Sequence, residues 1–342
     1  MSEGLVECVP NFSEGKNLEI ISEITKSINE IEGVSLLDVD SSEDFNRTVI
    51  SFVGPPEKVL MAAKKCTKKG LELIDMTKHS GEHARMGAVD VVPFIPISNC
   101  KMEDCISLAE RLGKYLGEEM NIPVYLYANA AKSTQRKLLP NIRKGEYEGF
   151  NDKIKLPEWK PDFGPQEFIP KSGVTASGAR SVLIAFNINL NTNDKSLANS
   201  IAGKIRTSGT LKKDLNGNKI LDERGKPERI PGKFTNLQAA GWMYDQTTAQ
   251  VSMNLLDFSE TGMHNVMEEI KNEAQKLNLD VTAGELVGLV PLNAILDSGK
   301  FYHSNPSSAS TEDLVNAAIE GLMLSNLGEF KSNKRIIEWA AN

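Results

Sequence analysis

One order of elements runs twice along this chain of 342 residues, and it limits the fold more than any other feature. LVECVPNF (5–12) reads as a strand, and Ser13 is placed to cap a helix over 16–31 whose Leu18, Ile21, Ile24 and Ile28 share one side. GVSLLDVD (33–40) and NRTVISFVG (46–54) read as strands on either side of the acidic turn SSED. A helix is expected after PPEKVL as far as Gly70, and AVDVVPFIPI (88–97) closes the unit as a strand. Its two prolines lack the N–H that a ladder needs, which points to an edge strand or an irregular end. The order β-α-β-β-α-β is the split unit called ferredoxin-like.

The second half repeats that order. ARSVLIAFNINLN (179–191) is a strand, NDKSLANSIAGKIRTSG a helix, and TNLQAAGWMYDQ and TAQVSMNLLDF are paired strands about a polar turn. TGMHNVMEEIKNEAQKLN then reads as a helix and DVTAGELVGLVPL as the last strand. Further elements are appended. They are a helix at 101–118 with Cys105, Leu108, Leu112 and Leu116 on one face, a strand at 122–131, and the basic helical piece STQRKLLPNIRKG. A helix at 311–325 and a short one at RIIEWAA follow the second unit. Residues 150–178, rich in proline, glycine and aromatics, are too long for a tight connection and are expected to link the halves. The expectation is an α+β protein of two ferredoxin-like subdomains, 1–178 and 179–342, with appended helices and a substrate groove between them.

The formal net charge of −7 rules against the broadly basic surface of a nucleic-acid binder and leaves room for a locally basic pocket. No window approaches the ~18 apolar residues of a membrane span. The start, MSEGLVECVPNFSEG, has early acids and no basic lead into an apolar region, so it is not read as a signal peptide. Cys8, Cys66, Cys100 and Cys105 form no CxxC and no disulfide framework, and Cys105 is expected as a buried thiol. A reduced, cytoplasmic protein with no membrane or nucleic-acid partner follows from these features.

Two of the four histidines stand close together in KHSGEHARMGAVDVVPFIPIS (78–98). HSGEH matches an inverted zinc-protease pattern, but that pattern needs a helix, where residues four apart share a face. Gly81 and Gly87 and the position before a strand favour a loop, and no metal is expected. A solvated polar loop is the plain alternative. Against it stands the density of His79, Glu82, His83 and Arg85 beside a strand that would hold them rigidly. A histidine there can accept and return a proton near neutral pH, and Arg85 can hold an anionic part of a substrate.

These blocks carry a resemblance. VECVPNFSEG (6–15), LLDVDSSEDFNRTVISFVGPP (36–56), HSGEHARMGAVDVVPFIP (79–96), PVYLYANAA (123–131), PDFGP (161–165), LIAFNINL (183–190), QVSMNLLDF (250–258) and ELVGLVPL (285–292) closely resemble the formiminotransferase domain of the glutamate formimidoyltransferase family. The blocks are collinear to about residue 335. The resemblance implies transfer of a formimino group between N-formimidoyl-L-glutamate and tetrahydrofolate in histidine degradation. It implies tetrahydrofolate as co-substrate, small-molecule partners and a homodimer. In animals the domain is joined to a cyclodeaminase, for which a chain ending at Asn342 leaves no room, so a free-standing transferase is expected. Two other readings stay open: a glutamate formyltransferase using N-formylglutamate and folate, and a non-catalytic folate-binding protein.

By the same resemblance His83, the second histidine of its HxGEH block, is the catalytic acid and base, with His79 beside it. Asp40, at the end of a strand, would orient His83 or stabilise positive charge on the formimino carbon; Glu82 is the other candidate acid. Asn46 and Arg47 are candidates to hydrogen-bond substrate. Two segments match folate-contacting loops. The first comprises Gly164, Pro165, Gln166, Glu167, Phe168, Ile169, Pro170, Lys171, Ser172 and Gly173. The second comprises Gly232, Lys233, Phe234, Thr235, Asn236, Leu237, Gln238, Ala239, Ala240 and Gly241. Glycines would admit a flat pterin, Phe168 would pack on it, and Lys171 and Lys233 would meet glutamate carboxylates. Residues 209–231 are longer and more polar than the animal pattern; NGNK and DERGK read as turns of a hairpin flap. From 203 to 233 nine Lys or Arg stand against four Asp or Glu, an excess that suits a polyanionic tail or a plain solvated insertion.

Overall fold

A computed structural model describes residues 4–341. The first three residues, where the reading of the amino-terminal start begins, lie outside that description, as does the last. The chain is α+β and divides into two compact units, one running to Ser181 and including Ala340 onward, the other Val182–Trp339.

The first unit contains β1 (Leu5–Cys8), β2 (Asn11–Phe12), α1 (Leu18–Asn29), β3 (Ser35–Ser42), β4 (Arg47–Gly54), α2 (Pro56–Leu73), β5 (Val89–Ser98), α3 (Met102–Lys114), β6 (Val124–Ala128), α4 (Leu139–Arg143), α5 (Glu146–Lys153) and β7 (Thr175–Ala179). The segment expected as one strand over 5–12 is broken at Pro10, and its two pieces lie between β4 and β5. β3 pairs outside β4, and every pairing among β1–β5 is antiparallel. On the far side of β5 the sheet continues through parallel β7 and β6.

β5 is therefore an interior strand, against the expectation from its prolines. Both prolines stand at breaks in the neighbouring ladder. Pro93 offers its carbonyl to Val9 N where β1 ends, and Pro96 pairs with Val6 beside the Leu5/Val6 register shift. A missing N–H costs little where no ladder bond is due.

Ile50, Phe52, Val92 and Phe94 point to one face and are buried with Ile24 and Ile28 of α1, Ala63 and Cys66 of α2, and Leu108 and Leu112 of α3. Burying each such Phe or Leu stabilises by about 1.5–3 kcal/mol. Asn17, and not Ser13, caps α1: its side chain accepts from Glu19 N and Ile20 N, while Ser13 Oγ donates to Gly87 O at 2.8 Å. Cys8, Cys66 and Cys105 are buried free thiols. On the opposite face Val91, Tyr125, Tyr127 and Ala176 pack with Ile142 and Phe150, the buried residues of α4 and α5.

Residues 150–178 are no linker. Arg136 donates to Asp162 Oδ2 at 2.9 Å and to the carbonyls of Glu158 and Lys160; Tyr125 Oη donates to Trp159 O; and Leu126 N donates to Asp162 Oδ2 at 2.7 Å. The segment ends as β7, inside the first sheet. The strand expected over 179–191 accordingly begins later.

The second unit contains β8 (Ile184–Leu190), α6 (Lys195–Ile205), β9 (Thr210–Leu211), β10 (Arg229–Ile230), β11 (Leu237–Met243), β12 (Ala249–Leu255), α7 (Met263–Gln275), β13 (Val281–Val287), α8 (Leu292–Tyr302), α9 (Thr311–Gly321), α10 (Ser332–Arg335) and α11 (Ile337–Ala340). Its sheet runs β11-β12-β8-β13, antiparallel throughout. Helix α8 was not expected from sequence. β9 and β10 pair as the base of a hairpin over the polar insertion, whose turns sit at Asp214–Asn218 and Asp222–Lys226.

Candidate active site

The His79–Arg85 stretch is a loop, as Gly81 and Gly87 imply. A Cβ on Gly81 would stand 2.5 Å from Phe45 O, so only glycine lets the loop cross the turn between β3 and β4. Asn46 fastens that crossing. Its backbone is left-handed (φ 46°), a conformation Asn tolerates, and its Oδ1 accepts from Gly15 N at 2.9 Å. Its Nδ2 donates to Ser80 O at 2.9 Å. The Asn46 carbonyl lies 2.9 Å from His79 Nε2, and Arg85 Nε donates to His79 Nδ1 at 3.3 Å. These two bonds fix His79 with its proton on Nε2 and leave neither ring nitrogen for substrate. His79 and Asn46 fasten the loop to the turn between β3 and β4.

Arg85 is not placed to hold a substrate anion. Its guanidinium donates to Glu146 and twice to Glu148, at 3.2, 3.0 and 2.6 Å, and lies near the Tyr147 ring. With Nε on His79, only one N–H of Nη2 is left. The wing that carries Glu146 and Glu148 is α5.

His83 is different. It is half-buried, its Nδ1 is buried without a hydrogen-bond partner, and Phe45 meets its ring edge-on with centroids 6.3 Å apart. Burial holds its pKa down to about 4, and the nearby guanidiniums of Arg47 and Arg143 push the same way. Arg143 is anchored by Asp90, whose Oδ2 accepts from Arg143 Nε at 3.1 Å and whose Oδ1 accepts from Met86 N at 2.8 Å. Arg47 Nε donates to Asn11 Oδ1 at 3.0 Å, and Arg47 has no carboxylate within ion-pair distance among the described residues. Both half-buried guanidiniums spend Nε and Nη2 on one oxygen and keep N–H groups in reserve, but Arg143 faces a carboxylate and Arg47 does not. Phe12, Ser13, Phe45, Asn46, Arg47, His79, His83, Arg85 and Asp90 together line a crevice too narrow for a water molecule.

Asp40 shares a cross-strand row with Val49, Asn11 and Val91, and its charge acts on Arg47. It makes no hydrogen bond to His83, whose Nδ1 is unpartnered. Glu82 is exposed beside His83. The 164–173 loop abuts the site: Ser172 O accepts from Ala88 N at 2.8 Å, and Phe168 packs on Tyr147 at 5.1 Å.

Several expected ligand contacts are engaged within the protein. Phe168 faces Tyr147, and Lys171 Nζ donates to Glu72 O at 3.1 Å. Lys233 pairs with Glu269. Cβ atoms on Gly173, Gly232 and Gly241 would stand 2.2, 2.0 and 2.4 Å from backbone atoms of Met86, Arg206 and Asn199. These glycines serve close backbone crossings. In the second segment Thr235 and Asn236 bind Glu260, and Leu237–Gly241 belong to β11 with Gln238 and Ala240 exposed.

Asn11, Asp90 and Arg143 are not singled out by the sequence reading. The available signal is Asp90, a lone carboxylate inside the apolar run AVDVVPFIPI, since a buried charge requires a partner. Among the described residues no three His, Cys, Asp or Glu side chains gather as a metal-ligand set. No helix of the described chain is long and apolar enough to cross a membrane. His264 stacks on Phe301, and the His303 Nδ1 accepts from Asn305 N, as structural histidines.

Comparison with known proteins shows which family the chain resembles over nearly its whole described length. The family model "Formiminotransferase domain, N-terminal subdomain" matches residues 5–180, and "Formiminotransferase domain" matches residues 185–342. A formimidoyltransferase-cyclodeaminase of Mus musculus is 46% identical over 338 residues, 98% of this chain and 59% of the relative. This chain thus spans under two thirds of such relatives. A glutamate formimidoyltransferase of Streptococcus pyogenes serotype M1 is 38% identical, with 87% of this chain and 93% of the relative covered. One of Thermoplasma acidophilum is 40% identical, with 87% and 92% covered.

Proposed function

This chain belongs to the formiminotransferase domain family, and from that premise we propose that it transfers a formimino group between N-formimidoyl-L-glutamate and tetrahydrofolate, with His83 as the general acid and base. One observation carries the reading. His83 is a half-buried imidazole with an unpaired ring nitrogen, set near two guanidiniums in a block the family model covers.

The chemistry needs a proton removed from the attacking amine and one returned to the departing nitrogen across a tetrahedral intermediate. At neutral pH an imidazole with its pKa near 4 is uncharged and ready to accept. The imidazolium then formed is a strong acid beside two cations, so it gives the proton up readily to the leaving nitrogen. Arg47 receives a carboxylate of the glutamate moiety, which offsets part of the positive field and brings the imidazole back toward its ordinary range. Asp90 and Asn11 hold the two arginines in place, and Asp40 balances Arg47 from the strand beyond.

In each unit the four strands of the β-α-β-β-α-β order lie second, third, first, fourth, which supports reading both as ferredoxin-like. A homodimer, a cytoplasmic location and folate contacts from 164–173 and 232–241, apart from Lys171, Lys233 and the glycines at backbone crossings, belong to the same proposal. Wild type and His83→Ala assayed with tetrahydrofolate and either N-formimidoylglutamate or N-formylglutamate test it. Turnover of the formimino donor that the variant loses is expected. Turnover of N-formylglutamate alone would replace formimino by formyl. Full activity of the variant would remove the imidazole from the mechanism. Tetrahydrofolate binding without turnover of either donor would leave a folate-binding protein.

A further inference from the structure

His79 and Arg85 flank the stretch that carries His83, and their side chains are bonded to each other. Arg85 Nε donates to His79 Nδ1 at 3.3 Å, so a single hydrogen bond closes the base of the loop, like a clasp. Both halves of the clasp are tied down. His79 Nε2 lies 2.9 Å from Asn46 O in the turn between β3 and β4, and the Arg85 guanidinium meets Glu146 and Glu148 of α5. Glu148 accepts with both carboxylate oxygens, at 3.0 and 2.6 Å, while Glu146 takes one bond at 3.2 Å. A two-point pair fixes the plane of a guanidinium as well as its place, and so fixes where its Nε–H points.

The state of the His79 ring follows from the same bonds. Arg85 Nε–H can only donate, so His79 Nδ1 is the bare nitrogen and the proton stands on Nε2, facing a carbonyl. The corner that brings the glutamates in is shaped for the purpose. Gly145 (φ 92°) and Glu146 (φ 53°) are both left-handed, and for a glutamate that backbone is uncommon and costly. It turns α4 into α5, so that Arg143 before the corner pairs with Asp90 and Glu148 after it reaches Arg85. The Arg85 side chain is 10% exposed and that of Glu148 64%, which places a surface carboxylate in control of a buried cation's direction.

We propose that Glu148 is a positioning residue for the transfer: through Arg85 and His79 it closes the loop that carries His83 and sets where that imidazole stands. This role rests on the reading of His83 as the proton shuttle, and neither Glu148 nor Arg85 touches the reacting atoms in it. Without Glu148 the guanidinium keeps one bond, from Nη1 to Glu146, and is free to rotate. Its Nε–H then leaves His79 Nδ1, the His79 proton divides between the two ring nitrogens, and the base of the loop opens. A displacement of about 1 Å at a group that transfers protons is enough to lower turnover about 100-fold.

The test uses the full chain, with steady-state kinetics on tetrahydrofolate and N-formimidoylglutamate and NMR of the histidine ring nitrogens. His79→Gln identifies the His79 signals among the four histidines. Glu148→Ala is expected to lower kcat about 10- to 100-fold, to change either KM by less than about 3-fold, and to convert His79 from the Nε2-protonated ring to a mixture of tautomers. Glu148→Gln keeps an oxygen for Arg85 and is expected to recover most of both losses. Wild-type kcat and ring signature in Glu148→Ala, with only a lower melting temperature, would overturn the proposal and leave Glu148 as a counter-charge. Mixed tautomers at wild-type kcat would overturn it too, because the clasp would then not place His83. A lower kcat with His79 still protonated on Nε2 would overturn the route through His79. Full activity of His83→Ala would sink the shuttle reading and with it this role; it is told apart from the other failures because the His79 tautomers of Glu148→Ala would still mix.

Discussion

Two sheets with one strand order put different chemistry on their polar faces. In the first unit, beside the row through Asp40 and Asn11, guanidiniums and an imidazole line a crevice without room for water. In the second, carboxamides and one carboxylate line an open cleft. The charged, closed arrangement suits moving a proton, because low dielectric amplifies each charge on the ring. The open, hydrogen-bonding one suits recognition. A shared topology thus carries no shared task; the side chains alternating off each strand decide it.

That contrast breaks or sharpens under substitution. His83→Ala should lower kcat by about 10²- to 10⁴-fold, the usual share of a general acid–base, and leave tetrahydrofolate affinity unchanged. A fall in affinity as large as the fall in kcat would erase the distinction between the two faces. Arg47→Gln should raise the KM for the glutamate donor about 10- to 100-fold, as expected for a lost charged hydrogen bond, with a smaller effect on tetrahydrofolate.

The same variant reports on pH. The imidazole acts in its neutral form, so kcat/KM rises with pH through the free-enzyme pKa, and the acid limb of wild type should lie near 4, not near 6.5. Removing the Arg47 charge weakens a cause of that depression, so the limb should move to higher pH in Arg47→Gln. A limb that stays put would show that Arg47 does not act on the ring.

Smaller effects test the glycine and lysine assignments of the second unit. Gly241→Ala would set a Cβ 2.4 Å from Asn199 N, and it should cost about 1–3 kcal/mol of stability in denaturant melts. Loss of folate affinity at unchanged stability would return Gly241 to the ligand. Lys233→Ala, removing one partly exposed ion pair with Glu269, should cost at most about 1 kcal/mol and leave the tetrahydrofolate KM alone.

Much of the scaffold could be read from the chain because period and punctuation are local properties. Ile21, Ile24 and Ile28 are buried as their spacing requires, although Leu18, expected beside them in the first turn, is exposed; the turn signals of the insertion mark a real hairpin. The 150–178 segment misled because its anchors, Arg136 and Tyr125, are distant in sequence and nothing near Asp162 announces them. The prolines of β5 misled for a related reason: their tolerance depends on breaks in a strand some eighty residues away.

At the site, the crowding of His79, Glu82, His83 and Arg85 was legible, and so was its loop conformation. Which of the four is free was not. Arg85 and His79 are consumed by Glu148 and Asn46, contacts across 63 and 33 positions. Arg143, on α4, is held beside the site by a carboxylate of β5, 53 positions away. Local composition cannot separate a lysine or glycine meant for a ligand from one that serves the chain itself.

The tight packing around His83 has a bearing on side reactions. Under the proposed transfer the formimino carbon is an electrophile that water also attacks; the crevice behind His83 has no room for water, so water would reach the ring from its exposed side beside Phe45, the side a bound donor would cover. Fidelity of transfer over wasteful hydrolysis would then depend on how closely a donor fits against the Phe45 ring, quite apart from the speed of the proton shuttle.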